Sequence, residues 1–353
     1  IGPNGFHAFD ALGVGDKARG RAVYTDFMVM HDALDEYQVG KIPTDEKFRQ
    51  RFGNPYAVIH RADVHLSLLE AAQETGQVQF HTSTRVERIE QDDSSVTVWD
   101  QNGKAFQGCA LIGADGVKSV VREQFVGDPA RVTGHVVYRA VVDKKDFPQD
   151  LQWNAAAIWV GPNCHLVHYP LRGGEQYNVV VTFHSREQEE WGVKDGSKEE
   201  VQSYFQGICP KARQLIDLPK TWKRWATADR EPIGQWTYGR VTLLGDAAHP
   251  TTQYMAQGAC MAMEDAVTLG EALRTHHNDW PKALDMYQRA RVARTARIVL
   301  SSREMGRIYH AKGVERLVRN DLWRGRSPER FYDAMAWLYG WNVGNCLDAA
   351  QHN

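Results

Sequence analysis

The chain is poor in cysteine, close to neutral and without long apolar stretches, and each shortage removes a class of function. Its five cysteines, at positions 109, 164, 209, 260 and 346, are odd in number and form no CxxC pair. That excludes a disulfide framework and a zinc ribbon, and it points to a reducing, cytoplasmic setting. With 42 Lys and Arg against 44 Asp and Glu, the net charge is −2, which offers no attraction to nucleic acid or to an anionic bilayer. Apolar runs such as Val179-Val180-Val181 and Val241-Thr242-Leu243-Leu244 fall far short of the ~20 residues of a membrane span. The scattered histidines have no metal-ligand spacing with cysteines or carboxylates, so no metal is expected.

What is present describes a globular protein. A hydrophobic fraction of 42% over 353 residues can build a substantial core and is long enough for two domains. Ile1-Gly2-Pro3-Asn4-Gly5 has no Met and runs straight into an amphipathic stretch over 6–12, so a preceding segment is expected.

Hydrophobic periodicity organises the rest. Residues 56–59 read as a short strand. Residues 63–73 read as a helix with Val64, Leu68 and Leu69 on one face and Asp63 as its N-cap. Strands are expected at 78–80, 84–91 and 96–100, then at 104–106 after an Asn102-Gly103 turn, and at 110–112. A helix is expected from about Ser119. From 131 the character changes: strands at 136–142, 156–160, 164–169 and 177–183 alternate with loop signals, and a helix at 198–208 interrupts them. A strand at 240–244 returns to the first pattern. A helix at 258–275 and largely helical sequence to about 338 follow.

Two strand-ending turns each set an Asp beside Gly: Gly113-Ala114-Asp115-Gly116-Val117-Lys118-Ser119 and Gly245-Asp246-Ala247-Ala248-His249-Pro250. In an open α/β sheet, ligands bind beyond the carboxyl ends of the strands. An Asp there can accept hydrogen bonds from sugar hydroxyls, and a Gly lets backbone approach a cofactor. A helix N-terminus near Gly258-Ala259 offers free N–H groups to an electron-rich carbonyl or phosphate. Either turn alone reads as an ordinary turn with an Asp cap. Both together, in this order, are far more specific.

These two turns, with Gln257-Gly258-Ala259 and Glu264-Asp265-Ala266, resemble signatures of the group A flavoprotein monooxygenases, the FAD-dependent aromatic hydroxylases. The similarity runs over the whole chain. The segment 164–174 and Gln253-Tyr254 resemble the 3-hydroxybenzoate 6-hydroxylases first and the salicylate hydroxylases second. The resemblance implies an α/β fold: an FAD/NAD(P)-binding Rossmann-like domain of the glutathione-reductase type over 1–130 and 236–353. A mostly antiparallel β-sheet substrate domain is inserted at 131–235, and the C-terminal region is helical. It implies that Asp246 holds the ribityl chain of FAD and that Gly258 and Ala259 present backbone N–H groups to the flavin ring. Arg61 would reach the ribityl–pyrophosphate region, Val86 would meet the adenine through its backbone, and Asp115 would lie near the phosphates and the path of the nicotinamide. Two departures stand out. The family's GxGxxG phosphate loop is not among these residues. Ala256-Gln257-Gly258 also replaces the frequent Gly-Gln-Gly, which leaves the path of that loop open.

The substrate side can be read from the residues. On a strand, His165, Val167 and Tyr169 share one face, and Leu166, His168 and Pro170 share the other. An imidazole and a phenol over an apolar floor suit a flat aromatic acid, and Gln253 adds an amide donor and acceptor. An electrophilic oxygen needs an electron-rich ring, and a phenolate enriches its ortho and para carbons. His165 would accept or relay the phenol proton. Tyr169 and Gln253 would orient the ring. A lone histidine on a strand is more often structural; the tyrosine beside it and the resemblance favour catalysis here. His168 reads as structural, His249 as support for its turn and His276-His277 as a solvated helix end. Met255, Met261 and Met263 read as core. The Arg-rich stretch 289–297 reads as a charged helix face or a subunit contact.

The reaction expected is para-hydroxylation of 3-hydroxybenzoate to 2,5-dihydroxybenzoate (gentisate), using NADH and O2 through a flavin C4a-hydroperoxide. Decarboxylating hydroxylation of salicylate to catechol is the alternative. NADPH stays open as reductant, because no separate nicotinamide-binding fold is visible. The helical C-terminal third is compatible with a homodimer.

Overall fold

The computed structural model describes residues 1–352. Its largest element is an eight-stranded sheet in the order Val193–Gly196, Trp222–Asp229, Arg131–Asp143, Gln176–His184, Cys164–Leu171, Ala155–Gly161, Phe27–Asp32 and Gln38–Pro43. The sheet is antiparallel except where Ala155–Gly161 runs parallel to Phe27–Asp32. It therefore draws on two strands, between 27 and 43, that lie outside the expected insertion.

Alternation decides what each face of this sheet meets. Cys164, Leu166, Val179, Val181, Val136 and Tyr138 point into a core closed by the helices Lys198–Tyr204 and Pro210–Asp217. The opposite face carries His165, Thr182 and Val137 in one cross-strand row and Val167, Val180 and Arg139 in the next. The expected helix at 198–208 ends earlier, at Tyr204, and a second helix that was not expected, Pro210–Asp217, follows it. The Trp222–Asp229 strand was not expected, because Lys223 and Arg224 break its apolar pattern. Arg224 is nevertheless buried and ion-paired to Glu189 at 2.5 Å and Glu200 at 3.3 Å.

A second sheet sets Leu111–Gly113 parallel to Val241–Leu243, with Thr237–Tyr238 on the far edge. It packs with the helices Gly258–Thr275 and Trp280–Tyr309 around Leu243, Ala247, Leu269 and Tyr287. A separate three-stranded unit, Val86–Gln91, Val96–Asp100 and Ala105–Gly108, lies beside it. The expected strand at 78–80 does not form: Val78 and Phe80 are exposed, with no strand beside them to pair their backbone. The helix Arg61–Glu74 is capped by His60, whose ring accepts from Ala62 N, and Asp63 falls in its first turn.

The Arg-rich stretch divides: Arg297 is exposed and Arg289 pairs with Asp285 at the surface, as expected of a charged helix face, but Arg291 and Arg294 turn inward. Arg291 is fully buried and pairs with Glu264 at 2.8 Å and Asp265 at 2.7 Å, both carboxylates also fully buried. Arg294 adds a 2.7 Å pair to Glu264. Asn4 donates to Glu264 at 2.7 Å and to the Gln257 side-chain Oε1 at 2.8 Å. The second oxygen of Asp265 accepts from Gly245 N at 3.0 Å and from His249 Nε2 at 2.6 Å. Burial pushes both carboxyls up, but Arg291, with Arg294 at Glu264 and His249 at Asp265, outweighs it and holds them below the usual range.

Removing one member leaves the others charged and dry. Asp265→Ala is expected to cost about 3–5 kcal/mol in denaturant unfolding of the full chain. A loss below 1 kcal/mol would show that the network contributes little.

Candidate active site

The two Asp-Gly turns meet at one edge of the structure. Leu243 is in register with Gly113, and Leu244 N donates to Gly113 O at 2.9 Å, so the chain leaves both parallel strands side by side. Arg122, fully buried, ties them by donating to Ala247 O and Ala248 O.

The two aspartates differ in what they do locally. Asp115 accepts from Ser119 Oγ at 2.5 Å and from Val120 N at 2.7 Å, so its carboxylate caps the next helix. Asp246 is exposed and makes no side-chain hydrogen bond to a described residue. The protein around it still raises its carboxyl, against the pull of His249 and Arg61. Gly245 before it has φ +62°, and a Cβ there would come within 3.2 Å of Ala262 Cβ, so the turn needs glycine twice over.

The helix Gly258–Thr275 starts without a side-chain cap, because Gln257 accepts from Asn4 instead of turning back on its own helix. The first N–H groups, at Gly258 and Ala259, are thus left for another acceptor. Gly258 lies close to the Asp246 carboxylate: a Cβ on it would sit 3.9 Å from Asp246 Oδ1. Arg61 opens the helix Arg61–Glu74 near enough for its charge to act on Asp246. Val86 opens its strand and packs on the core shared by Ile112, Val121 and Ala247.

His165 is buried on the strand Cys164–Leu171, opposite Thr182. Gln253 Nε2 reaches Thr182 Oγ1 at 3.3 Å, which brings His165 and Gln253 together around one threonine. The segment before Gln253 is fixed from the long helix: Ser302 Oγ donates to Thr252 O at 2.8 Å, and Gly306 has no side chain where the Tyr254 ring lies. Tyr169, half-buried, lies on the same face as His165 but four residues further along the strand, opposite Asn178, and no contact joins it to His165 or Gln253. His168 points the other way, among Phe147 and Trp153.

Sequence reasoning missed other residues on this face. The rings of Tyr254 and Tyr309 flank His165 at 5.4 and 5.6 Å. Tyr56 is raised by burial and lies close enough to Tyr169 and Tyr309 for their phenols to act on it. Arg139 carries an unpartnered Nε and interacts with Tyr169 and Arg61. Most directly, His310 Nε2 lies 2.8 Å from His165 Nδ1. Tyr254 stood beside Gln253 in its motif but had been given no role; Tyr56, Tyr309 and His310 are not adjacent to the motifs in sequence, and the alternation of strand 131–143 bears only on Arg139.

The described residues hold no group of three or more His, Cys, Asp or Glu able to bind a metal, and no helix long and apolar enough to cross a membrane.

Comparison with known proteins adds independent findings. A family described as an FAD binding domain matches residues 3–302. A 3-hydroxybenzoate 6-hydroxylase of Polaromonas naphthalenivorans (strain CJ2) is 85% identical over 347 residues, 98% of this chain and 87% of that protein. A 3-hydroxybenzoate 6-hydroxylase of Klebsiella oxytoca is 59% identical over 349 residues, 99% of this chain and 88% of that one. Among solved structures, Klebsiella pneumoniae HpxO complexed with FAD and uric acid superposes with a TM-score of 0.83 at 28% identity, over 96% of this chain and 87% of that chain.

The loop whose path the sequence left open has a defined cost. Ala256 adopts φ +53°, a left-handed conformation that disfavours a Cβ. Ala256→Gly is expected to stabilise the protein by about 1 kcal/mol in guanidinium unfolding; an unchanged midpoint would mean that the loop relaxes elsewhere.

Proposed function

This chain belongs to the FAD-dependent aromatic hydroxylases, the group A flavoprotein monooxygenases, and on that premise we propose that it hydroxylates 3-hydroxybenzoate para to its phenol, giving gentisate, with NADH as reductant. The observation that carries the proposal is the joining of His165 and Gln253 around Thr182, on the sheet face that meets the segment running from Asp246 to Gly258. The names of the two hydroxylase relatives support the substrate.

The residues present fit FAD. An uncapped helix start at Gly258 and Ala259 suits an electron-rich flavin carbonyl. The unpartnered Asp246 carboxylate beside it suits ribityl hydroxyls. Arg61 would add positive charge for the pyrophosphate, and Val86 and Asp115 would border the adenosine and phosphate end. When bound and reduced, FAD supplies the activated oxygen from O2.

The chain's own residues do the rest. His165 Nε2 has no protein partner and accepts the phenol proton, which places electron density on the ring carbons ortho and para to the oxygen. Tyr169 and Gln253 hold the ring so that C6 is the carbon presented. The unpartnered Arg139 offers charge for the carboxylate. Burial beneath Tyr254 and Tyr309 keeps water from the reacting face. The reducing cytoplasm is the proposed setting, since the cysteines are free thiols and four of the five are buried. A homodimer and NADPH as substitute reductant are open to direct assay.

The purified holoenzyme should oxidise NADH faster when 3-hydroxybenzoate is added and should release gentisate. Catechol from salicylate, or no stimulation, would overturn this substrate. His165→Ala should slow hydroxylation ~100-fold or more with FAD retained; Asp246→Ala should lose FAD on dialysis. Wild-type hydroxylation by the first variant, or full flavin occupancy in the second, would remove the role assigned to that residue.

A further inference from the structure

Four histidines gather on the site-facing side of the sheet. His165 Nδ1 meets His310 Nε2 at 2.8 Å. His310 stacks edge-on against His135, with ring centroids 5.3 Å apart, and His135 against His184, at 5.1 Å. His135 and His184 are cross-strand partners, on the same face as the His165–Thr182 row. Along this series burial gives way to solvent: His165 and His310 are buried, His135 is intermediate and His184 is exposed. His135 Nδ1 is buried without a hydrogen-bond partner, which is costly unless the atom is used.

We propose that His310, His135 and His184 form a proton exit that carries the phenol proton from His165 to bulk solvent. The proposal rests on the reading of His165 as the proton acceptor. In the starting state His165 carries its proton on Nδ1 and donates it to His310 Nε2, leaving Nε2 free. When Nε2 takes the phenol proton, the Nδ1 proton passes to His310 Nε2. His310 then releases its own Nδ1 proton towards His135, across a gap that one bridging water or a ring reorientation spans. His184 delivers a proton to solvent. One proton enters and one leaves, no electrons move, and reprotonation of the product phenol restores the tautomers by the reverse path.

The need for such an exit follows from burial. His165 is pushed down to about 3 by desolvation, with His135 adding to the effect, so it cannot keep a proton near neutrality. His310 is likewise lowered by burial and by His165, His135 and His184, and His135 falls to about 4 through burial and His184. The groups facing the series are the Tyr254 and Tyr309 phenols, raised by burial, and Asp229, which favours the charged form of His135. A proton therefore finds no resting place before the exposed end. His310, His135 and His184 act through His165 and are positioning residues for the proton.

The test uses the full-chain holoenzyme, oxidised, mixed with 3-hydroxybenzoate in weak buffer containing a pH-indicator dye. Phenolate absorbance of the bound ligand is followed in parallel. In the wild type, phenolate formation and proton appearance should keep step. His310→Gln can still accept the hydrogen bond from His165 but cannot carry a proton; it should slow proton appearance ~10-fold or more with ligand affinity retained. His184→Asn, at the exposed end, should slow it too, and added imidazole should restore the rate. Wild-type proton appearance in both variants would overturn the exit and leave the substrate assignment standing. Should His310→Gln fail to keep FAD, His184→Asn and its rescue decide the matter alone. Absence of phenolate in the wild type would instead overturn the 3-hydroxybenzoate assignment, and the exit with it.

Discussion

The architecture depends on two adjacent buried carboxylates whose charge is balanced by buried guanidinium groups. Glu264 and Asp265 lie on the first turns of the helix Gly258–Thr275, and Arg291 and Arg294 reach them from the helix Trp280–Tyr309. Desolvated charges are tolerable only when paired and fully hydrogen-bonded, so every neighbour of this pair is constrained. Asn4 is held by Glu264, and Gly245 and His249 by Asp265. The turn bearing Asp246 and the start of the helix bearing Gly258 are thus referenced to one charge cluster. The cofactor site proposed for that turn and helix end rests on this common anchor.

The large sheet meets this framework with two unlike faces. One buries Leu166, Val179 and Val181 against short helices, and its partners are apolar. The other bears His165, Thr182 and Arg139 and meets the segment around Gln253 and Tyr254. Strand alternation makes the separation sharp, since a one-residue slip would exchange the faces and send His165 into the apolar core. Eight strands in register make such a slip costly. The same long helix that supplies Arg291 also ends at His310, so the charge anchor and the contact to His165 sit on one element.

Short-range pattern was a good guide wherever local chemistry sufficed. The helix Gly258–Thr275 and the strand Cys164–Leu171 follow from periodicity, as does the separation of His165 and Tyr169 from His168. The helix start expected near Ser119 is there, with Ser119 as its N-cap. Where pattern failed, a distant partner had overruled it. Residues 78–80 look like a strand but have no neighbour to complete their hydrogen bonds. Trp222–Asp229 looks too charged for a strand, yet Glu189 and Glu200 satisfy Arg224. The arginines at 291 and 294 read as solvated because the carboxylates that bury them lie some 30 residues earlier.

The sequence by itself therefore determined the aromatic-hydroxylase family, the α/β character, the two Asp-Gly turns and the face carrying His165 and Tyr169. These are properties of motifs and of periods of two and 3.6 residues, which are local. Only the tertiary structure decided that Asp115 spends its carboxylate on a cap while Asp246 keeps its own free. It alone brought Tyr56, Arg139 and Tyr309 to the site, and His310 to His165 across 145 positions of chain. Such contacts arise from the packing of whole helices and sheets, and no local pattern of residues encodes which distant side chain will arrive.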